Sequence, residues 1–82
     1  MEYEYYETQI FDDGSWMHDL EVLAVRQDIA ARNALVDAIE NDNTMANSQW
    51  QVRSRLTTDR GYVGKWHTYK LTGRLTVRID EG

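Results

Sequence analysis

The stretch of sequence that decides the fold is residues 29–41, IAARNALVDAIEN, which contains helix-forming residues and neither glycine nor proline. On a helical projection its apolar residues form one stripe and its polar residues lie opposite, as in a helix that packs against another layer. The stripe contains three alanines, so the helix can approach a sheet closely. The apolar residues are Ala31, Ala34, Leu35, Ala38 and Ile39, and the polar ones are Asn33, Asp37 and Glu40.

Both ends of this helix are predicted from the residues that flank it. Asp28 is predicted to be the N-cap, because a carboxylate there can accept hydrogen bonds from the free amides of the first turn. The run Asn41-Asp42-Asn43 is predicted to end the helix, because asparagine tolerates the left-handed conformation found at helix C-termini.

A β-hairpin is predicted before the helix. Residues 2–11 are rich in Tyr, Thr and Ile and alternate loosely, which is typical of a half-buried strand. The run Asp12-Asp13-Gly14-Ser15 predicts a tight turn, because Asp-Gly supplies the positive φ that such a turn requires. A second strand is expected within residues 16–26, partly buried on both sides. On the first strand Tyr3 and Tyr5 share one face and Tyr6, Thr8 and Ile10 the other; on the second, Leu20, Val22 and Ala24 share one face and Leu23 and Val25 the other.

Further strands are predicted after a short polar connection over residues 44–49. Residues 50–57 alternate, which indicates one dry and one wet side. Residues 58–61 predict a turn, and residues 62–69 a strand with Gly64 at a bulge. Thr72-Gly73 either starts a second hairpin or kinks one long strand, and both readings stay open. The dry positions are Trp50, Val52, Ser54 and Leu56, the wet ones Gln51, Arg53, Arg55 and Thr57, and the last alternating set is Leu75, Val77 and Ile79.

These elements predict an α+β fold in the order β-β-α-β-β. The sheet is expected to be small and antiparallel, with four to five strands and one helix packed on one face, since this arrangement buries the apolar stripes. At 82 residues the chain is expected to be a single domain, 1–82, because a core of this size cannot be divided and stay folded.

The net charge of −5 is distributed unevenly along the chain. Residues 1–42 contain eleven acidic and two basic side chains, which gives −9, and residues 43–82 contain three acidic and seven basic ones, which gives +4. Such asymmetry bears on partners and association rather than on fold. Two explanations are open: the later strands lie beside the first hairpin and pair with its acids, or the molecule has two poles of opposite charge.

The composition also bears on the compartment. The chain has no cysteine, so a disulfide and a thiolate metal site are both excluded. No apolar run approaches the roughly 18 residues that a membrane span needs. The first five residues are acidic and aromatic, unlike the basic start of a signal peptide. We therefore expect the protein in the cytoplasm, that of the host cell if the gene is carried by a phage.

No group of residues in the sequence predicts catalysis, a metal or a cofactor. His18 lies among acids, but calcium-loop spacing is absent and adjacent acids on a strand point to opposite faces. His18 and His67 are the only histidines, and no serine lies in a nucleophile-elbow motif. We therefore expect a protein that is not an enzyme and that has no catalytic residues, no metal ligands and no cofactor.

The leading hypothesis is a non-enzymatic inhibitor-type protein that occupies a basic, nucleic-acid-handling surface on a protein partner. Charge complementarity would speed the encounter, and tyrosine and tryptophan commonly anchor interfaces. In size and charge alone the chain is comparable to phage anti-CRISPR and anti-restriction proteins. The predicted partner-binding residues are Tyr3, Tyr5, Tyr6, Asp12, Asp13, Trp16, Asp19 and Glu21.

Two other functions stay open. The first is a nucleic-acid-binding module, in which aromatic rings on the later strands stack bases while cations follow the phosphates. An acidic domain opposes the approach of a polyanion, which weighs against it. The second is a structural or assembly subunit, which predicts a stable oligomer and no heterologous partner. Self-association, for example as a homodimer, is one of the routes by which so small a chain gains stability. The candidate nucleic-acid-binding residues are Arg53, Arg55, Lys65, Trp66 and Arg78.

Overall fold

The computed structural model describes residues 2–58 and 63–73. They form a four-stranded antiparallel sheet with one α-helix on one face, which confirms the predicted α+β class and element order. The fifth strand that the prediction of four to five strands left open, with Leu75, Val77 and Ile79, lies outside the described residues. The elements are β1 (Glu4–Asp12), β2 (Ser15–Ala24), α1 (Gln27–Asn41), a 3-10 turn (Asn43–Met45), β3 (Gln49–Thr57) and β4 (His67–Thr72).

The order of the strands across the sheet is β2-β1-β3-β4. Because β1 pairs antiparallel with both β2 and β3, those two strands run parallel to each other. The helix α1 connects them and crosses β1 on one face of the sheet. The acidic first hairpin and the basic third strand are therefore direct neighbours.

The β1–β2 hairpin turns at Asp13 and Gly14, as predicted. Both have positive φ, 50° and 80°, which is the backbone of a two-residue turn that suits the twist of a hairpin. Further along β2 the pairing shifts: Thr8 pairs with Leu20, but Ile10 pairs with Met17. One extra residue on β2 therefore forms a β-bulge.

The bulge changes which face of the sheet Trp16 occupies. His18, inside the bulge, has a φ of 58°. Simple alternation would place Trp16 on the same face as Leu20 and Val22. The extra residue instead places Trp16 opposite Phe11, on the face that the helix does not cover.

The helix follows its predicted stripe but differs from the prediction at both ends. Its N-cap is Arg26, which makes no side-chain cap, and Asp28 lies inside the first turn, where its carboxylate accepts from Arg26 Nε at 3.2 Å. The prediction of Asp28 as N-cap was wrong because the helix begins one residue before it. The helix ends at Asn41 as predicted, but Asp42 is extended at φ −147°, and the left-handed asparagine is Asn47. Asp42 instead accepts from the Thr44 amide and starts the 3-10 turn.

The core lies between α1 and the two central strands. Ile10 and Val52 are fully buried beneath the alanine stripe of the helix. Two polar residues are also buried and are satisfied: Thr8 Oγ1 donates to Leu20 O at 2.8 Å, and Ser54 Oγ donates to Gln27 O at 3.0 Å. Among the described residues, the buried apolar ones are Tyr6, Ile10, Ala24, Ala30, Ala31, Ala34, Leu35, Ala38, Ile39, Met45 and Val52.

Two other predictions need correction. Leu23 is 50% exposed, so β2 is not buried on both sides, because no described layer covers the second face of the sheet. The predicted strand over residues 62–69 begins only at His67, since Val63 forms an isolated bridge with Thr57 and the Gly64 amide donates to Leu56 O. Most of the predicted turn at 58–61 lies outside the described residues.

Candidate functional site

The face of the sheet opposite α1, called the open face here, is the most distinctive surface of the described residues. It combines large apolar rings, two arginines and carboxylates on neighbouring strands. Its residues are Tyr5, Glu7, Gln9 and Phe11 on β1, Trp16, Glu21 and Leu23 on β2, Arg53 and Arg55 on β3, and Trp66, which precedes β4.

Arg53 lies at the centre of the open face between two indole rings. Its guanidinium carbon is 4.2 Å from the centre of the Trp16 ring and 4.2 Å from the centre of the Trp66 ring. Its Nε also donates to Gln9 Oε1 at 2.8 Å, and the Gln9 amide donates to Asp19. A guanidinium held by two rings and an amide is stabilised by cation–π attraction and has little freedom to reorient.

Arg55, two residues further along β3, is held in a similar way. Its Nε and a terminal nitrogen donate to Glu7 Oε2 at 2.8 and 2.7 Å, and its guanidinium carbon is 4.3 Å from the centre of the Trp66 ring. The two side chains are 28% and 34% exposed, so this ion pair is partly shielded from water. Trp66 therefore covers both arginines. On the other side of Arg53, the ring of Phe11 packs edge-on against the ring of Trp16, with 5.2 Å between the two ring centres.

The arrangement decides between the two explanations of the charge split for the central strands. Glu7 and Arg55 are direct cross-strand partners, so part of the split is internal pairing. The acids of β2 differ: Glu21 lies opposite Glu7, and none of the ion pairs among the described residues includes it. Among the described residues, the open face therefore presents aromatic rings around two arginines and, on β2, one carboxylate, Glu21, that is in no ion pair.

The predicted partner-binding residues occupy three places. Tyr3, 63% exposed, precedes β1, and Tyr5, 43% exposed, lies on the open face. Tyr6 is only 8% exposed and lies on the helix-covered face, where burial, aided by Glu4 and Asp28, raises the pKa of its phenol. The remaining residues lie along the hairpin: Asp12 and Asp13 at its turn, Trp16 in the stack, Asp19 in the bulge and Glu21 on the open face.

The candidate nucleic-acid-binding residues are only partly brought together. Arg53, Arg55 and Trp66 form the stack, whereas Lys65 is exposed beside it, with its carbonyl accepting from Gln27. Arg78 lies outside the described residues. The structure thus joins Trp16 from the first predicted set to three residues of the second.

Sequence reasoning did not select Glu7, Gln9 and Phe11. The sequence nevertheless indicates which face of the sheet these three residues occupy. They alternate with the buried positions of β1 and therefore lie on the same face as Tyr5. Identifying them as site residues also required knowing that β3 lies beside β1.

A cleft of about 180 Å³ lies between the bulge and α1. His18, Asp37 and Asp42 line it. The Thr44 hydroxyl and amide donate to Asp42 and lower the pKa of its carboxyl, with a smaller contribution from His18. Within residues 2–58 and 63–73, no group of three or more histidines and acids is arranged to hold a metal.

Comparison of the chain with protein-family models, with curated proteins and with solved structures found no match. Among the described residues, no helix combines the length and the apolar character needed to cross a membrane. The residues of the open face are therefore the basis on which a function can be proposed.

Proposed function

We propose that this chain is a non-enzymatic protein-binding domain whose open face covers a basic, nucleic-acid-handling surface of a protein partner. It acts as an inhibitor of that surface, in the cytoplasm. The observation that carries the proposal is the covering of Arg53 and Arg55 by Trp16 and Trp66, next to a β2 carboxylate, Glu21, that forms no ion pair with any residue the structure describes.

The held side chains support binding because they reduce its entropic cost. Long side chains that must be immobilised on binding cost about 0.5–1.5 kcal/mol each. Arg53 and Arg55 are already restrained by rings and hydrogen bonds before any partner arrives. Tryptophan, tyrosine and arginine are also the residue types that most often dominate interface energies.

The charges favour a basic protein over a nucleic acid as the partner. Arg55 is neutralised by Glu7, and Arg53 is covered on both sides by indole rings, so neither cation is free to follow phosphates. The net charge of −5 further opposes a polyanion. A basic protein surface is attracted by the same field.

Affinity purification from cells that carry the gene, with quantitative mass spectrometry, tests the proposal. Glu21→Lys reverses one open-face charge, and Glu40→Lys is its matched control on the exposed side of α1. The wild type and Glu40→Lys are expected to recover the same basic, nucleic-acid-handling protein. Glu21→Lys is expected to recover roughly five-fold less, and added nucleic acid to displace the partner.

Two results would contradict the proposal. In one, no basic partner is recovered, or both variants recover it equally. In the other, a low-salt gel assay shows that the chain itself shifts a short single-stranded oligonucleotide and that Arg53→Ala abolishes the shift. That result assigns the open face to nucleic acid instead.

A further inference from the structure

Within residues 2–58 and 63–73, little protects the outer edge of β2. Within the described part of the chain, β2 pairs with β1 on one side and with no strand on the other. Proteins usually protect such edges with lysines, prolines, bulges or a covering element. The bulge at His18 protects one half of β2, but residues 20–24, LEVLA, follow it with a single charge, Glu21.

The other edge of the described sheet differs. The strand β4 has six residues and includes Lys70, a residue that typically protects edges. The second half of β2 instead has Leu23 50% exposed and Ala24 buried. Residues 20–24 are therefore an edge that no described strand covers, on which a further strand would find backbone groups to pair with and apolar contacts.

The charge of this edge indicates what would lie against it. Like charges directly opposite each other on a sheet are unfavourable, and Glu21 lies opposite Glu7. Arg55 compensates Glu7 from the β3 side, and none of the basic side chains within residues 2–58 and 63–73 pairs with Glu21, which leaves its outer side for such a contact. A basic side chain opposite Glu21 on an added strand would supply it.

We propose that an extended segment of the protein partner adds to the β2 edge as a further strand. The segment places basic side chains at alternate positions on the open face, opposite Glu21, and apolar side chains between them, next to Leu20 and Val22. This inference rests on the proposed function, because it specifies which segment of that same protein partner binds and where on this domain it binds. Main-chain hydrogen bonds provide the affinity, and alternate side chains provide the specificity.

The probes are three short synthetic peptides, measured by NMR titration and by hydrogen exchange of the amides of residues 20–24. One alternates arginine and valine, one has the same sequence with alternate backbone amides methylated, and one alternates glutamate and valine. The first is expected to bind and to protect those amides. Methylation removes backbone donors at unchanged charge and is expected to weaken binding about ten-fold or more, and the glutamate peptide is expected not to bind.

A variant separates strand addition from attraction at any acidic site. Glu21→Lys is expected to weaken binding of the arginine peptide roughly five-fold, and Glu40→Lys to leave it unchanged. Equal binding of the methylated and unmethylated peptides would overturn the proposal, as would protection of residues 20–24 by a second copy of the chain, seen as a concentration-dependent dimer. If the purified partner binds through Trp66 yet protects no amide of residues 20–24, this inference fails while the proposed function stands. If no basic partner exists, the proposed function fails whatever the peptides do.

Discussion

The two faces of the sheet are built from alternate residues of the same strands, yet different forces hold them. On the helix-covered face, Ile10 and Val52 are fully buried beneath α1, where alanines allow close approach. On the open face, Arg53 is held between Trp16 and Trp66 while the surface stays in contact with water. Apolar burial stabilises the first face, and stacking and ion pairing order the second.

This difference assigns the stability of the fold mainly to the helix-covered face and the proposed partner binding to the open face. A face stabilised by removing area from water cannot also be presented to a partner. A face ordered by cation–π contacts and hydrogen bonds can be rigid and exposed at once, which is what a pre-organised binding surface requires. Substitutions on the two faces should therefore differ in size and in kind.

The largest effect is expected from Ile10→Ala on the helix-covered face. Ile10 is 1% exposed, and truncating such a residue leaves a cavity that typically costs 2–5 kcal/mol, roughly, in the free energy of unfolding. Leu23→Ala on the half-exposed β2 position is the control, with an expected loss below about 1 kcal/mol. Urea unfolding measures both, and equal losses would show that the two faces do not differ in burial.

A smaller effect is expected from Arg53→Ala at the centre of the open face. It removes the cation shared by Trp16 and Trp66, with an expected cost of about 1 kcal/mol and a change in tryptophan fluorescence. Lys70→Ala, an exposed residue of β4, is the matched loss of a positive charge and should leave the fluorescence unchanged. Identical spectra for wild type and Arg53→Ala would argue against the stack.

The Glu7–Arg55 ion pair is expected to contribute less to the free energy of unfolding than Arg53 does. A double-mutant cycle with Glu7→Gln and Arg55→Gln should give a coupling of about 0.5 kcal/mol, since both side chains are partly exposed. Unfolding in high salt should reduce that coupling because screening weakens exposed pairs. A coupling that salt does not change would indicate a contribution from packing rather than charge.

The smallest effect concerns pH and Tyr6 on the helix-covered face. Burial raises the pKa of this phenol above its ordinary value of 10.0, with Glu4 and Asp28 adding to the shift. The folded state therefore favours the neutral phenol. This stabilisation is complete below the unfolded pKa and is lost as the pH rises through the raised folded pKa. Urea unfolding measured between roughly pH 8 and pH 11 should show that the Tyr6→Phe variant loses less stability with rising pH than the wild type. Equal losses of stability in the two proteins would contradict the raised pKa of Tyr6.

Much of the fold could be predicted from the sequence because local patterns encode it. The stripe from Ala31 to Ile39 follows the helical period, and Asp13-Gly14 provides the backbone that a two-residue hairpin turn needs. The two faces of β3 follow from strict alternation between Val52 and Arg53. These features depend on neighbours within a few residues, so no knowledge of distant contacts was required.

The candidate site could be predicted only in pieces. The aromatic and charged residues that form it were recognised, but as two separate sets, one in each half of the chain. Whether Glu7 and Arg55 meet depends on β1 lying between β2 and β3, a pairing of strands 48 residues apart. Alternation says which side of a strand is apolar but not which strand will lie beside it.

By itself, the sequence determined the helix and its buried stripe, the Asp-Gly hairpin, the wet and dry sides of β3, and the −9 and +4 halves of the chain. Only the tertiary structure decided that these halves meet, that Trp16 lies on the open face, and that Trp66 covers two arginines. The physical reason is that the bulge at His18 and the order of the strands depend on pairing between distant segments. The local pattern of side chains along one strand does not predict which distant strand will pair with it.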